Sequence, residues 1–467
     1  MENYLQYNRG SNTITVPLNS IQQNDFLEIQ IKDGSWHGNY HPDNTHPIQD
    51  NYVGQIVEVE SIVSSTANET VVTLKDKLRL NYGWENGLNS GNLEPKVQKL
   101  TTVNNIGFEN FKIINEGATG GEEGYNFRFD YAVNCWIWGV HSEKPYRAHV
   151  NISRSSGIEI RGCYFHDAKE FGGGGEGYGI TINTHSTNCL IEDNVFDYLR
   201  HAMMVQGGAN GNVFGYNFSG TQPTAGLMDG DIDNGDISFH GTYPYENLFE
   251  GNMALFADAD RFWGSNGPYN VLFRNQLRRT PDNICFNLYS TTWYPANNGG
   301  IRIIGPYVGG VWQPQVFYVF GNTIQYAFCG ETFKNVDALY FTTNEAPQNS
   351  NNVRIGSEGG EAGYSMYYTA KPSFLTASYT WPPVGCKRGG ASLTQSIPAR
   401  DRYYNETIKT VSSPAYSGEQ SAAVLLEIEQ RRESTALMTG TTVSRWENAA
   451  FQNYTVQLPL PSFLLPS

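Results

Sequence analysis

The chain has 467 residues, with 31 lysines and arginines against 46 aspartates and glutamates, and a formal charge of −15. Only 16 % of its residues are charged, and its 49 glycines and many asparagines, serines and threonines favour short strands and tight turns, which excludes an all-helical fold. The acidic balance argues against nucleic-acid binding, and no apolar run reaches the roughly 18 residues that a membrane span needs.

The first residues, Met1 to Tyr4, have neither the basic nor the apolar region of a signal peptide. Several runs of alternating apolar and polar residues follow, centred near Ile14, Ile29 and Val57, and each is typical of a strand. These runs lack the regular spacing found later in the chain. We therefore predict a small β-barrel or sandwich domain over residues 1–98.

A repeat organises residues 99–345. Alternating apolar residues lead to an Asn or Gly and then to an apolar pair, and the steps between these Asn/Gly positions are 29, 23, 32, 23, 35 and 23 residues. The positions are Asn110, Gly139, Gly162, Asn194, Asn217, Asn252 and Asn275. A unit this short cannot bury its own apolar face, so it must stack on its neighbours. The pattern predicts an all-β, right-handed parallel β-helix with a ladder of Asn side chains along the stack.

Each coil also contains a strand ten to sixteen residues before its Asn or Gly. We expect these strands to stack and to present one outer face that carries the functional groups. Counting back from the Asn positions makes His201 a neighbour of Asp236 on the next coil, and His240 a neighbour of Trp263. The candidate catalytic residues are His149, His201, Asp236, His240, Asp260 and Arg261, and the candidate substrate-binding aromatics are Tyr178, Tyr243 and Trp263. Apolar residues occupy both alternations, so the direction in which each side chain points stays open.

The longest insertion contains four aspartates at alternate or near-alternate positions. They are Asp229, Asp231, Asp233 and Asp236, with two glycines among them. Hard cations are held by oxygen ligands at such spacings, so we predict a Ca²⁺ site here, although the loop lacks the closing Glu of an EF-hand. The alternative is a solvated acidic turn.

Residues 346–467 form a loop-rich C-terminal region. The capping-box pattern at Ser417 to Gln420 opens a predicted helix, which we interpret as a cap over an open edge of the β-helix. The six cysteines show no metal-ligand spacing, and we expect Cys135, Cys163 and Cys189 to be small buried apolar residues.

The coil spacing, and runs such as Gly211-Asn-Val-Phe-Gly-Tyr-Asn217-Phe, resemble the pectin-lyase-like superfamily of right-handed parallel β-helix proteins over about residues 97–330. The resemblance implies a polysaccharide partner and a secreted or cell-surface protein, here without its leader. It also implies that a small β-domain follows an earlier β-helix segment, so we expect this chain to be a fragment or an unusual member. None of the catalytic motifs in the superfamily matches this chain.

Together these observations predict an enzyme that degrades a uronate-containing polysaccharide by Ca²⁺-assisted β-elimination. His240 or Arg261 would be the base, and a metal held by the acidic loop would stabilise the enediolate. One alternative is a glycoside hydrolase in which Asp236 and Asp260 flank the scissile bond. The other is a non-catalytic glycan-binding module, such as a spike or adhesin.

Overall fold

The computed structural model describes residues 7–31, 51–82, 95–117, 124–172, 175–223, 235–259, 266–277, 365–385 and 396–411. Between residues 300 and 339 it describes only the backbone of the strands. Within this part of the chain all regular structure is strand except for one helix of eight residues.

The N-terminal region forms a five-stranded antiparallel sheet in the order β1-β4-β3-β2-β5. Its strands are β1 (Thr13–Val16), β2 (Phe26–Ile31), β3 (Val53–Ser65), β4 (Thr70–Leu74) and β5 (Lys96–Lys99). Strand β3 is 13 residues long and shifts register twice against β4, after Val59 and after Ile62, which is the signature of bulges that bend a strand. In the described region no pairing joins β1 to β5, so this sheet is open and not a closed barrel.

The rest of the described chain winds through three parallel sheets. Sheet 1 contains β7 (Gly107–Glu109), β11 (Trp136–Trp138), β14 (Glu159–Arg161), β17 (Leu190–Glu192), β20 (Val213–Gly215), β23 (Leu248–Glu250), β26 (Asn270–Phe273), β31 (Val316–Phe320) and β34 (Ala338–Leu339). Sheet 2 contains β8 (Lys112–Ile114), β12 (His141–Glu143), β15 (Tyr164–His166), β18 (Val195–Asp197), β21 (Phe218–Ser219), β24 (Met253–Ala254), β27 (Gln276–Leu277) and β32 (Thr323–Ile324). Sheet 3 contains β9 (Tyr125–Asp130), β13 (Ala148–Ser153), β16 (Tyr178–Asn183), β19 (His201–Val205), β22 (Ile237–Phe239), β25 (Phe256–Ala259), β28 (Gly300–Ile304) and β33 (Phe333–Lys334). Two short pairs complete the set, β6 (Val103–Asn104) with β10 (Ala132–Val133) and β29 (Tyr307–Val308) with β30 (Val311–Trp312).

Each turn of chain visits sheets 1, 2 and 3 once and then pairs in parallel with the coil before it. In sheet 1, for example, Ile137 pairs with Ile160, Ile160 with Ile191, and Ile191 with Phe214, and all four side chains are fully buried. These inward residues and their counterparts in the other two sheets form one continuous core along the axis. The right-handed parallel β-helix predicted from the repeat is therefore confirmed.

The predicted Asn ladder is present at the corner between sheets 1 and 2. The Nδ2 group of Asn194 donates to Oδ1 of Asn217 (3.0 Å), Asn217 donates to Asn252 (3.0 Å), and Asn252 donates to Asn275 (2.9 Å). Each Oδ1 also accepts the backbone N–H of the Asn on the preceding coil. The side chains therefore satisfy buried backbone groups where the chain turns between sheets.

A second ladder, which was not predicted, lies at the corner that leads into sheet 1. It runs from Asn212 through Asn247 to Asn270, with Nδ2-to-Oδ1 distances of 2.9 and 3.0 Å. Buried cysteines precede both ladders, since the N–H of Cys163 donates to Asn194 Oδ1 and the N–H of Cys189 donates to Asn212 Oδ1. Cys163 and Cys189 thus occupy different corners of the coil.

The outer face of sheet 1 is covered by the N-terminal sheet. Outward residues such as Leu190, Val213 and Leu248 share one apolar cluster with Leu27 and Ile29 of β2. Buried polar contacts reinforce the interface, including Arg79 with Thr187 (3.1 Å) and with Asn188 (2.6 Å), and Arg9 with Glu246 (2.7 Å).

The C-terminal segment covers the corner between sheets 1 and 2. Its Arg402 donates twice to the Asp193 carboxylate (3.1 and 2.9 Å), and Phe374 packs on Tyr216. Helix α1 (Pro398–Asn405) lies in this segment, in a region expected to be loop; Pro398 stands at its first turn, a position that proline favours. The helix predicted after Ser417 lies outside the described residues.

Within the described chain, no helix has the length and apolar character required to cross a bilayer. Among the described residues, partly exposed polar side chains cluster on the outer face of sheet 3 and on the early strands of sheet 2.

Candidate functional site

Side chains alternate inward and outward from Val150 onward in β13 and from Ile180 onward in β16, and this settles which of them face outward there. Ile180 and Ile182 of β16 point into the core, so Thr181 and Asn183 between and after them point out. Parallel register repeats this alternation on every coil, at about 4.8 Å per step. The outer face is therefore a set of aligned side-chain columns.

One column is a half-buried strip of hydrogen-bonding side chains. Asp130, Ser153 and Asn183 stand in register, and Gln206 and His240 follow directly after the paired residues of the next two coils. All five are partly exposed. Amide, hydroxyl, carboxylate and imidazole groups supply both donors and acceptors, one set per coil.

The neighbouring column is preorganised by hydrogen bonds across coils. Thr181 Oγ1 donates to Asn151 Oδ1 (2.9 Å), and Asn183 Nδ2 donates to the same oxygen (2.7 Å). Asn183 also reaches Thr181 Oγ1 at 3.2 Å. These contacts fix the side chains that border the open strip.

Arginine–tyrosine stacks flank the same face. The guanidinium carbon of Arg147 lies 5.8 Å from the ring centroid of Tyr125, and that of Arg200 lies 5.7 Å from the ring of Tyr178. Arg154 stacks in the same way, 5.8 Å from the Tyr131 ring. Three arginines therefore lie beside sheet 3, of which Arg154 also lies 3.5 Å from Glu28 and Arg200 is buried.

The predicted residue His149 lies inside the coil. Its Nδ1 is 2.8 Å from Ser142 Oγ, its Nε2 is 3.1 Å from the Asp167 carbonyl, and the side chain has no exposed surface. Burial and the nearby His166 lower the pKa of His149 well below its usual range, so the ring is neutral at pH 7. His149 therefore does not belong to the outer face on which it was expected.

The predicted stacking of His201 on Asp236 is wrong by one residue. Met203 pairs with Ile237, which places His201 beside Gly235, and His201 Nδ1 donates to the Gly235 carbonyl at 2.9 Å. His201 is fully buried, with its ring 4.8 Å from that of Tyr178.

Asp236 is also fully buried, because its carboxylate accepts Gln222 Nε2 (2.8 Å) and the backbone N–H of Leu255 (2.5 Å). A carboxylate held in this way fits neither an exposed hydrolytic pair nor an open calcium loop. The other predicted calcium ligands, Asp229, Asp231 and Asp233, lie outside the described residues, so the site remains a prediction.

The error in register has a structural cause. The segment that connects sheet 3 to sheet 1 becomes longer on successive coils. Between equivalent paired residues it comprises residues 206–212, then 240–247, then 260–270. A fixed count back from the Asn positions therefore reaches a different point of sheet 3 on each coil. Phe239 pairs with Ala259, so His240 is not opposite Trp263 as predicted.

The other predicted residues divide into three groups. His240 is partly exposed at the end of the polar strip, with its ring 5.6 Å from that of His201. Tyr178 and Tyr243 are each 5 % exposed, and Tyr243 packs in the cluster beneath the N-terminal sheet, away from the outer face of sheet 3. Asp260, Arg261 and Trp263 lie outside the described residues.

A second cluster, which the sequence analysis missed, lies on the outer face of sheet 2. His141 Nε2 is 2.6 Å from His166 Nε2, and Glu143 Oε1 is 3.2 Å from His141 Nε2 and 3.0 Å from His166 Nε2. The Tyr164 ring stacks on His166 with centroids 4.3 Å apart, and Lys112 Nζ lies 2.7 Å from Glu143 Oε1.

The electrostatics of this cluster are strongly coupled. Burial, together with the neighbouring His166 and Lys112, lowers the pKa of His141 to about 4. Burial would raise the pKa of Glu143, but the Lys112 hydrogen bond and the neighbouring His166 lower it. The cluster therefore presents a neutral imidazole and a carboxylate near neutral pH.

A signal for the cluster existed in the sequence. Register pairs His141 with Tyr164 and Glu143 with His166, so both pairs are one 23-residue coil apart, directly after Gly139 and Gly162. The 23-residue repeat aligns His141 with Tyr164 and Glu143 with His166. The predicted site residues came from the strands that precede the Asn and Gly positions, whereas His141, Glu143 and His166 lie in the strands that follow these positions.

Comparison with known proteins gives structural likenesses only. No protein-family model matches the chain, and no curated protein matches it. Among solved structures, the Gp54 tailspike of Acinetobacter baumannii bacteriophage AP22, solved with a capsular saccharide, is 16 % identical with a TM-score of 0.40, over 68 % of this chain and 43 % of the tailspike. The tailspike gp61 of Pseudomonas phage phi297 is 12 % identical with a TM-score of 0.42, over 69 % and 46 %. The catalytic domain of a GH87 α-1,3-glucanase is 8 % identical with a TM-score of 0.32, over 69 % and 80 %. The aligned part of this chain spans less than half the length of either tailspike.

Proposed function

We propose that the protein binds an anionic polysaccharide along the outer face of sheet 3 and cleaves it by β-elimination outside the cell. The observation that carries this proposal is the strip of aligned side chains from Asp130 through Asn183 to His240. A chain of sugar rings offers hydroxyl groups at repeated intervals, and the strip repeats donors and acceptors every coil, at about 4.8 Å.

The arginine–tyrosine stacks support an acidic glycan over a neutral one. The partly exposed Arg147 and Arg154 supply positive charge beside the strip, with Arg154 also 3.5 Å from Glu28, and this charge would offset part of the repulsion expected from a protein of charge −15. The half-exposed ring of Tyr125 adds an apolar surface on which the C–H face of a sugar can pack.

His240 is the candidate base for the elimination. It is the one described member of the predicted catalytic set that is partly exposed on the polar strip, and imidazole is the side chain that most often serves as a general base. The base would abstract the C5 proton of the uronate, and the electron pair would expel the glycosidic oxygen at C4. A Ca²⁺ ion at the acidic loop around Asp231 would assist by neutralising the carboxylate.

The test is a digestion panel of uronate-containing and neutral polysaccharides, with and without Ca²⁺. Ultraviolet absorbance reports the unsaturated product of elimination, and a reducing-end assay reports any cleavage. We expect absorbance to rise on uronate polymers only, with His240→Ala slower by about 100-fold or more. Lys75→Ala, a half-exposed site on the N-terminal domain, serves as the matched control and should leave the rate unchanged.

Other outcomes would redirect or refute the proposal. Reducing ends without absorbance would mean hydrolysis, and binding without cleavage would mean a glycan-binding module. To test the face itself, Asn183→Ala should weaken polysaccharide retention about tenfold, since it removes two hydrogen-bonding groups from the strip. Unchanged retention in that variant would show that sheet 3 is not the binding surface.

A further inference from the structure

We propose that His141, Glu143 and His166 form a binding site for one transition-metal ion, for which Zn²⁺ is the probe. The site lies on sheet 2, apart from the polysaccharide face on sheet 3, and does not depend on the function proposed above. It also differs from the predicted Ca²⁺ loop in both position and donor chemistry.

Three donor atoms converge on one point. His141 Nε2, His166 Nε2 and Glu143 Oε1 are separated from one another by 2.6, 3.2 and 3.0 Å. An ion about 2.1 Å from all three would sit roughly 1 Å above their plane, within the range of ordinary zinc–nitrogen and zinc–oxygen bonds.

The positions of the ring protons on His141 and His166 favour a cation between the three ligand atoms. His166 Nδ1 lies 2.8 Å from Asp167 Oδ2, and because a carboxylate only accepts, Nδ1 carries the proton and Nε2 presents a lone pair. His141 Nε2 then faces two acceptors, His166 Nε2 and Glu143 Oε1, and a single N–H can satisfy only one of them. A metal ion shared by the three atoms would accept an electron pair from each of them at once.

Asp167 provides the outer support that metal-bound histidines usually have. A carboxylate on the second ring nitrogen fixes the tautomer and the orientation of the ligating imidazole. The Tyr164 ring, stacked on His166 at an interplanar angle of 14°, restrains the same imidazole from the side. The geometry is thus preorganised by residues that do not themselves touch the ion.

The donor set identifies the class of metal. Two imidazoles with one carboxylate suit Zn²⁺ and neighbouring first-row ions, whereas Ca²⁺ takes oxygen ligands. The side chains are 30 % exposed for His141 and 14 % for His166 and Glu143, so coordination positions remain open toward solvent. Lys112, which contacts Glu143 at 2.7 Å, is 45 % exposed and can turn into solvent when an ion enters.

The experiment is calorimetric titration of the full chain with Zn²⁺ after treatment with EDTA, at pH 7.5. We expect one ion per chain, with a dissociation constant near or below about 1 μM. His166→Ala should weaken binding at least 100-fold, and Lys112→Ala should bind as tightly or more tightly because it removes a competing cation. His240→Ala, on sheet 3, is the matched histidine control and should bind as the wild type does.

Asp167→Asn keeps every ligand and should still weaken binding about 10- to 100-fold. Substitution with Co²⁺ gives a second readout, because the visible bands of a four- or five-coordinate ion should disappear in His166→Ala. Circular dichroism shows whether each variant is folded. The proposal is overturned if the wild type binds no Zn²⁺ below about 100 μM, if folded His166→Ala binds normally, or if millimolar Ca²⁺ displaces the ion.

Discussion

The Asn ladder between sheets 1 and 2 offers a direct test of what holds the coils together. Asn217 is fully buried at its centre and makes four side-chain hydrogen bonds. Its Oδ1 accepts the backbone N–H and the Nδ2 group of Asn194 (both 3.0 Å), and its Nδ2 donates to the Ile191 carbonyl (2.8 Å) and to Asn252 Oδ1 (3.0 Å). The perturbation is Asn217→Ala, which removes all four and leaves the backbone intact.

The cost follows from which groups lose a partner. Nδ2 of Asn194 keeps the Ile160 carbonyl, and Oδ1 of Asn252 keeps the backbone N–H of residue 217. The backbone N–H of Asn194 loses its acceptor, Oδ1 of Asn217, and the backbone carbonyl of Ile191 loses its donor, Nδ2 of Asn217. Each buried group left without a partner costs about 1–3 kcal/mol, so the free energy of unfolding should fall by about 3–5 kcal/mol, including the small cavity.

The assay is equilibrium unfolding in guanidinium, followed by tryptophan fluorescence and far-ultraviolet circular dichroism. The two probes must give coincident transitions for a single free energy to be meaningful in a chain of this size. Asn68→Ala, in an exposed turn of the N-terminal domain, is the control and should change stability by less than about 0.5 kcal/mol. A loss below about 1 kcal/mol for Asn217→Ala would refute the view that the ladder is a principal source of stability.

Two further predictions concern the interface between the N-terminal sheet and the β-helix. Arg79→Ala should destabilise that interface by about 3–5 kcal/mol, because it leaves the buried Thr187 and Glu246 side chains without this partner, and limited proteolysis should then cleave residues 7–82 at least tenfold faster. Burial alone would raise the pKa of Glu28, but the hydrogen bond and charge of His185 (2.6 Å) lower it below its usual value. The stabilisation is therefore present above the unfolded pKa and is lost as pH falls through the folded one, so resistance to proteolysis should drop below about pH 4 in the wild type and much less in Glu28→Gln.

The architecture could be predicted because it depends on a repeat. Asn194, Asn217, Asn252 and Asn275 stand at one position of four successive coils, and only stacked coils can satisfy a buried amide at each of them. Length variation in the loops does not alter this position, because insertions enter at other corners. The ladder was therefore recoverable from spacing alone.

The candidate site was harder to predict because its residues lie on either side of those variable corners. The one-residue error at His201 arose from a corner that gains residues from coil to coil. The inward position of His149 depends on Ser142, which occupies an apolar column and offers a hydroxyl to the ring. Helix α1 lies in the region predicted to be loop-rich, where Pro398 stands in the first helical turn, a position in which proline is well tolerated.

The two ladders also imply that stability is distributed unevenly along the solenoid axis. The described ladders run from Asn194 to Asn275 and from Asn212 to Asn270, whereas the earlier coils have an apolar residue or cysteine at the equivalent positions, such as Val140 and Cys163, and expose Val103 (53 %) and Ile106 (44 %). In a linear array each coil is held only by its neighbours, so opening should proceed inward from that end while the later coils stay intact. Backbone amides near residues 103–114 should then exchange through local fraying, and those near residues 190–277 only when the whole array unfolds.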